Sequence, residues 1–145
     1  EKDDSDFVRI EIHKDGTITD NKTGLMWKAV DSYMELDKWV SWDEAKTYVQ
    51  DLNRTRFCGF ENWRMPTRKE AQAIYDSSNP VTDNYGDTVF LAKGFPAGSG
   101  LTCWTKTLNK SDKGLAIRFH YYNGDYKWHQ IGLRSHGVRA VRDME

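Results

Sequence analysis

The sequence predicts an α+β fold: two short helices packed on antiparallel strands, with long irregular loops between them. Three observations predict it. Ser41-Trp-Asp-Glu44 and Thr67-Arg-Lys-Glu70 are capping signatures, and each stands before an apolar stripe of helical period. The flanking segments instead alternate apolar and polar side chains over a few positions, the period of strands. Between Asp76 and Thr102 the composition turns to Gly, Pro, Asn, Asp and Ser, the chemistry of loops.

Phe7-Val-Arg-Ile-Glu-Ile12 alternates over six positions and reads as a strand with one face buried. Asp15-Gly16 makes a turn and Thr17-Ile-Thr19 returns, giving a hairpin. After a second turn cluster, Asp20 to Gly24, comes the short apolar strand Leu25-Met-Trp27. The Ser41 capping box opens a helix whose Trp42, Ala45, Val49 and Leu52 form one apolar stripe, with Lys46, Gln50 and Asp51 outside it. The second capping box follows Pro66, and Ala71, Ile74 and Tyr75 supply the apolar face of a shorter helix. Beyond the irregular stretch, Cys103–Thr107, Ala116–Tyr121 and Val138–Arg142 read as strands joined by segments rich in Gly, Asn, Lys and His.

A chain of 145 residues that is 38% hydrophobic can close one core, so residues 1–145 are expected to form a single domain. No segment approaches the roughly 18 to 20 apolar residues that span a bilayer, so a soluble domain without membrane insertion is expected. The chain begins without Met and without a signal peptide, and reads as a mature or trimmed fragment, in which export of a parent protein is not itself visible. Net charge is −1 but unevenly spread. Residues 1–37 carry ten acidic and five basic groups, whereas residues 103–142 carry eight Lys and Arg against Asp112 and Asp125. A one-sign cluster steers an oppositely charged partner, although such runs also serve simply as solvated faces.

Cys58 and Cys103 are too far apart in the chain for a CxxC metal or redox motif. Two readings stay open. The pair forms one disulfide, which would add roughly 4 kcal/mol in the chain-entropy model and require an oxidising compartment, or both are buried free thiols.

Four anchored motifs run through the chain in order: Gly16-Thr-Ile-Thr-Asp-Asn-Lys-Thr-Gly-Leu-Met-Trp27, Asn62-Trp-Arg-Met-Pro-Thr-Arg-Lys-Glu70, Cys103-Trp-Thr-Lys-Thr107 and Val138-Arg-Ala-Val-Arg142. The series resembles the C-terminal domain family of the Legionella collagen-like adhesin over about residues 16–142. The resemblance implies a C-type-lectin-like fold and a place on an extracellular, cell-surface or periplasmic bacterial protein. It also implies binding of acidic or sulfated polysaccharide and assembly as a trimer. Trp27, Trp63, Trp104 and the Val138–Arg142 strand would then build the core. The residues themselves agree with structural roles: Arg64 suits a bidentate pair with a carboxylate, and Arg139 and Arg142 alternate with apolar neighbours.

A site for an acidic sugar needs an aromatic platform with Lys or Arg donors. The stretch from Lys106 to His136 supplies both: Lys106, Lys110, Lys113, Arg118, Lys127 and Arg134, interleaved with Tyr121, Tyr122, Tyr126 and Trp128. The proposed ligand residues are Lys106, Lys110, Arg118, Tyr122, Tyr126, Lys127, Trp128 and Arg134. The same composition suits a surface-protein partner, since Tyr, Trp and Arg dominate interface hot spots.

Other chemistries are less well supported. Calcium would find oxygen ligands at Asp83, Asn84 and Asp87, but the Glu-Pro-Asn and Gln-Pro-Asp triplets of sugar-binding C-type lectins are absent and Asx-rich turns share this composition. No cofactor is expected otherwise. Formylglycine-generating enzymes have a related fold, yet their closely spaced cysteine pair has no counterpart, so catalysis, with Cys103 assisted by His120 or His136, is a remote alternative. His120, His129 and His136 lack zinc-site spacing. A pI near 6.5 argues against nucleic acid.

Overall fold

The computed structural model describes residues 7–83, 86–96 and 102–144. Among them are nine strands and three α-helices: β1 (Ile10–Ile12), β2 (Thr17–Asp20), β3 (Leu25–Lys28), α1 (Ser32–Leu36), α2 (Trp42–Arg54), α3 (Arg68–Ala73), β4 (Tyr75–Thr82), β5 (Thr88–Leu91), β6 (Thr102–Leu108), β7 (Leu115–His120), β8 (Asp125–Gln130) and β9 (Val141–Asp143). The strands make three antiparallel sheets, in the orders β1-β2-β3-β9, β4-β5 and β6-β7-β8. The architecture is α+β, as expected.

Both capping boxes form. Ser41 Oγ accepts from the Glu44 N–H at 3.2 Å while Glu44 accepts from the Ser41 N–H, and Thr67 and Glu70 repeat the exchange. Each cap satisfies orphan donors at a helix start, a contribution of about 1 kcal/mol. On α2, Trp42, Ala45 and Val49 are buried and Leu52 is packed at the edge of the core. A third helix, α1, opens on Asp31, whose carboxylate accepts from the Met34 N–H. Only one residue type marks this start, and five residues give too little period to read.

Three expectations are corrected. Residues 76–102 are not a continuous irregular loop: β4 and β5 pair there, because Val89 and Leu91 are buried and their burial outweighs the local turn composition. Pro80 sits at the register shift of β4, and the Asn79 side chain donates to the Leu91 carbonyl at 2.7 Å. The connection after Tyr121 contains a further strand, β8, paired to β7 along its length. The first strand is shorter than Phe7–Ile12 and is not half-buried: it forms a sheet edge on which Ile12 is 66% exposed.

The cysteines do not pair. Both are free thiols, and Cys58 is only partly buried. The Cys58 thiol donates to the Asp15 carbonyl at 3.2 Å and that of Cys103 to the Trp104 carbonyl at 3.3 Å, so each is held by a different part of the chain.

The segment from His136 to Asp143 ties the sheets together. Val40 donates to the His136 carbonyl, Trp104 to the Gly137 carbonyl, and Arg64 and Val141 exchange both backbone bonds. Val138, Ala140 and Val141 on this segment are fully buried, alongside Trp27 and Trp104. Truncating an indole buried to this degree costs about 3 to 5 kcal/mol.

Candidate functional site

The candidate surface is built on the β7–β8 hairpin. The turn Tyr121–Gly124 is closed by the Gly124 N–H donating to the His120 carbonyl, and the Asn123 side chain accepts from the Asp125 N–H. Gly124 has φ +77°, and a Cβ there would lie 2.7 Å from the Tyr75 ring. Only glycine meets both constraints.

Register then decides which side chains share a face. Ile117 opposes Trp128 and Phe119 opposes Tyr126, while on the other face Arg118 opposes Lys127 and His120 opposes Asp125. On the first face Phe119 is buried and the Tyr121 hydroxyl donates to the Ala71 carbonyl of α3. β8 extends beyond this cover, leaving Tyr126 42% and Trp128 45% exposed. The Arg68 guanidinium of α3 lies 4.5 Å from the centre of the Tyr126 ring. An aromatic pair two positions apart on one strand, with a cation stacked at one end, is the result.

The second face carries a polar group around Trp104. Thr102 Oγ1 and His136 Nδ1 are 2.6 Å apart, and the His136 ring stands edge-on to Trp104 at 4.7 Å and to His129 at 4.6 Å. Five buried polar atoms here have no hydrogen-bond partner among the described residues: Arg118 Nη1, His120 Nδ1, His129 Nδ1, Ser135 Oγ and His136 Nε2. Buried polar atoms are normally paired, so this face is where the hydrogen bonding within the chain is least complete. Burial pushes the His136 imidazole down to about 3, and His129, Arg118 and His120 add to that direction. Burial also lowers His120, with Arg118 and Lys127 reinforcing it and Asp125 opposing. His136 is therefore neutral at pH 7, and the positive charge on this face comes from Arg118 and Lys127.

The other expected ligand residues are dispersed. Tyr122 lies in the hairpin turn, edge-on to His120, and Lys110 is exposed between β6 and β7. Arg134 is held by Glu44 at the start of α2, with contacts of 3.0 and 3.1 Å. Lys106 lies away from β8, beside α2 and Trp63. The hairpin gathers Arg118, Tyr122, Tyr126, Lys127 and Trp128, but not Lys106 or Arg134. Arg68 had no signal in the sequence, since α3 brings it to Tyr126 from far along the chain. Strand β8 did have one: Asn123-Gly124 is a hairpin signature.

The remaining alternatives can be placed. Cys103 opposes Phe119, whereas Thr102 opposes His120, so the thiol and His120 point to opposite faces of the sheet. Burial pushes the Cys103 thiol up to about 12, which keeps it protonated, the reverse of an activated nucleophile. Asp83 accepts from the Asp87 N–H within a local turn, and Asn84 lies outside the described residues. Among the described residues no group of three or more His, Cys, Asp or Glu is arranged to hold a metal ion. No helix among them is long and apolar enough to cross a membrane.

The residues read as structural are all engaged. Arg64 makes two 2.7 Å bonds to Glu70 and one of 2.9 Å to Asp143. Arg142 donates to Asn62 Oδ1 and lies 3.6 Å from the centre of the Phe60 ring. Arg139 donates to the Ala29 carbonyl and faces Phe95, while Trp27, Trp63 and Trp104 are buried.

Neither a curated protein nor a solved structure matches the chain. The family model of the Lcl C-terminal domain matches residues 16–142, which include every strand from β2 to β8, all three helices and nearly all of the Arg64–Arg142 framework. With nearly the whole chain matched, this protein belongs to the Lcl C-terminal domain family, a surface-associated domain of Legionella collagen-like protein.

Proposed function

We propose that the chain is a single, non-catalytic recognition domain of C-type-lectin-like type, displayed outside the cell, which binds acidic or sulfated glycans along strand β8. The observation that carries this reading is the exposed Tyr126 and Trp128 pair, with Arg68 stacked at one end. Aromatic faces accept the apolar faces of sugar rings, and exposed cations supply charge-assisted bonds to sulfate or carboxylate. The excess of Lys and Arg in residues 103–142 would steer such a polyanion.

Binding to immobilised heparin and to a neutral glycan, at low and at physiological salt, tests the proposal. Heparin should bind, weaken as salt rises, and weaken again in Trp128→Ala and Arg68→Ala. No binding to heparin, or binding indifferent to both substitutions, overturns it.

A second reading, an assembly module that pairs with a surface protein or with two further copies of itself, draws on the other end of the molecule. Ile12 on the edge strand β1, and Phe7 and Val8 just before it, are exposed, and sheet edges with apolar side chains are pairing sites. Sedimentation of the wild type against Ile12→Lys discriminates the two: a trimer lost in the variant favours assembly, and a monomer in both excludes self-assembly through this edge.

A further inference from the structure

A second concave site lies away from β8, between α2, the Trp63–Met65 segment and β6. It encloses about 260 Å³. Its apolar lining comes from Trp42, Val49, Trp63 and Met65, all buried, and its rim carries Lys46, Gln50, Arg64 and Lys106. Among the described residues no carboxylate lines it.

The walls are fixed by the fold. Trp42 Nε1 donates to the Thr105 carbonyl at 2.9 Å and Trp63 Nε1 to the Phe57 carbonyl at 3.1 Å. The Asn53 side chain exchanges two bonds with the Trp63 backbone, locking that segment to the end of α2. Both indole N–H groups are thus committed, so the rings can offer only apolar surface to an occupant.

The cations on the rim differ in how far they are neutralised. Arg64 is held by Glu70 and Asp143. Lys46 and Lys106 have no ion pair among the described residues, and they reach the same cleft from two elements. Lys46 stands 5.8 Å from the centre of the Trp42 ring, and Asp143 faces Lys106 only at longer range. The cleft therefore pairs an apolar floor with two uncompensated ammonium groups and one amide.

We infer that this cleft binds a ring-bearing carboxylate: one six-membered ring against the Trp42, Trp63 and Met65 floor, with its carboxylate between Lys46 and Lys106 and its polar substituents toward Gln50. Size favours one ring, since the volume falls just below the roughly 300 to 1,000 Å³ of sites that take drug-sized ligands. Charge excludes a cationic ligand and leaves a neutral sugar without the strongest available contacts. The site is separate from the β8 surface, so either can exist without the other.

The test is an amide and indole NMR titration of the full chain with glucuronate, benzoate, acetate and glucose. Glucuronate or benzoate should shift the Trp42 and Trp63 indole signals saturably, and whichever binds tighter identifies a sugar acid or an aryl acid as the source. Acetate lacks the ring and glucose lacks the charge, so each should bind at least about tenfold more weakly. Lys46→Gln with Lys106→Gln, both exposed positions, should weaken the ring carboxylate by about tenfold and leave the fold intact. Absence of a saturable shift, equal response to acetate, or shifts confined to Trp128 overturns the inference. Heparin binding through β8 is read in the separate experiment, so the failure of one is not the failure of the other.

Discussion

The two ends of the chain's polar framework are built by opposite rules. Around Arg64, charged groups are matched: the guanidinium spans Glu70 and Asp143, and Arg142 is bonded to Asn62 and stacked on Phe60. On the β7–β8 hairpin, Arg118 and three histidines keep buried nitrogens without partners among the described residues, and Tyr126 and Trp128 face solvent. Pairing in the first region serves the fold. The second is less completely paired within the chain, and its Tyr126 and Trp128 stay open on the face away from those nitrogens.

The contrast is tested most severely by Arg64→Ala. The substitution strands Glu70, which burial alone would raise but the Arg64 contacts hold below its ordinary value. It also unfastens β9 from the start of α3. Breaking a buried pair costs about 3 to 5 kcal/mol. Arg64 and Glu70 are roughly one-fifth to one-quarter exposed, so about 2 to 3 kcal/mol is expected from urea unfolding. A loss below about 0.5 kcal/mol would show that the pairs around Arg64 do not carry the framework.

Gly124→Ala asks whether the hairpin, despite its unpaired groups, is as rigidly placed as the hub. The new Cβ meets Tyr75 and takes a left-handed backbone conformation. About 1 to 3 kcal/mol of destabilisation is expected, read by thermal unfolding. A neutral result would mean that Tyr75 moves freely and that the turn does not fix the position of β8.

The regions also differ in how legible they were. Motifs with a local mechanism were readable: both capping boxes, the Asp15-Gly16 turn, and Arg64 as a bidentate partner follow from chemistry within a few residues. Strand β4 was hidden because Ser, Asn and Pro make its composition that of a loop, and only pairing with Val89 and Leu91 overrides it. His120, His129 and His136 gather around Trp104, and Arg68 reaches Tyr126 on the opposite face, through tertiary packing that no spacing in the chain reveals. The same holds for Lys106, drawn toward α2 rather than to the basic stretch in which it was counted.

Titration sharpens the comparison further. The folded protein refuses a proton at His136 until about pH 3, whereas the unfolded chain accepts one near 6.5, so this group lowers stability as pH falls across that interval. Asp31 acts oppositely. Burial raises it to about 6 from an ordinary 3.8, so the folded protein holds a proton that the unfolded chain releases, and stability rises as pH falls from about 6 to 3.8. The two partly cancel between pH 6 and 4. His136→Gln should therefore convert a nearly flat profile into one that rises on acidification, and Asp31→Asn into one that falls, by at most about 1.4 kcal/mol per pH unit. Chemical denaturation at pH 4, 5, 6 and 7 reads both slopes. Identical profiles for the two variants would remove the buried histidine group from the account.

The smallest expected change in stability is the one that separates recognition from folding. Trp128 opposes Ile117 at the sheet edge, yet almost half its surface is open and no side-chain hydrogen bond holds its ring among the described residues. If β8 were part of the core in the way that Trp104 is, Trp128→Ala would cost several kcal/mol. If the ring is held out for a ligand, the loss should stay near 0.5 to 1 kcal/mol, the value of one cross-strand contact. The unfolding midpoint in urea gives the number directly. A small loss with unchanged slope leaves Trp128 with no structural reason to be a tryptophan, whereas a loss above about 2 kcal/mol would make it a core residue and transfer the recognition argument to Tyr126 and Arg68 alone.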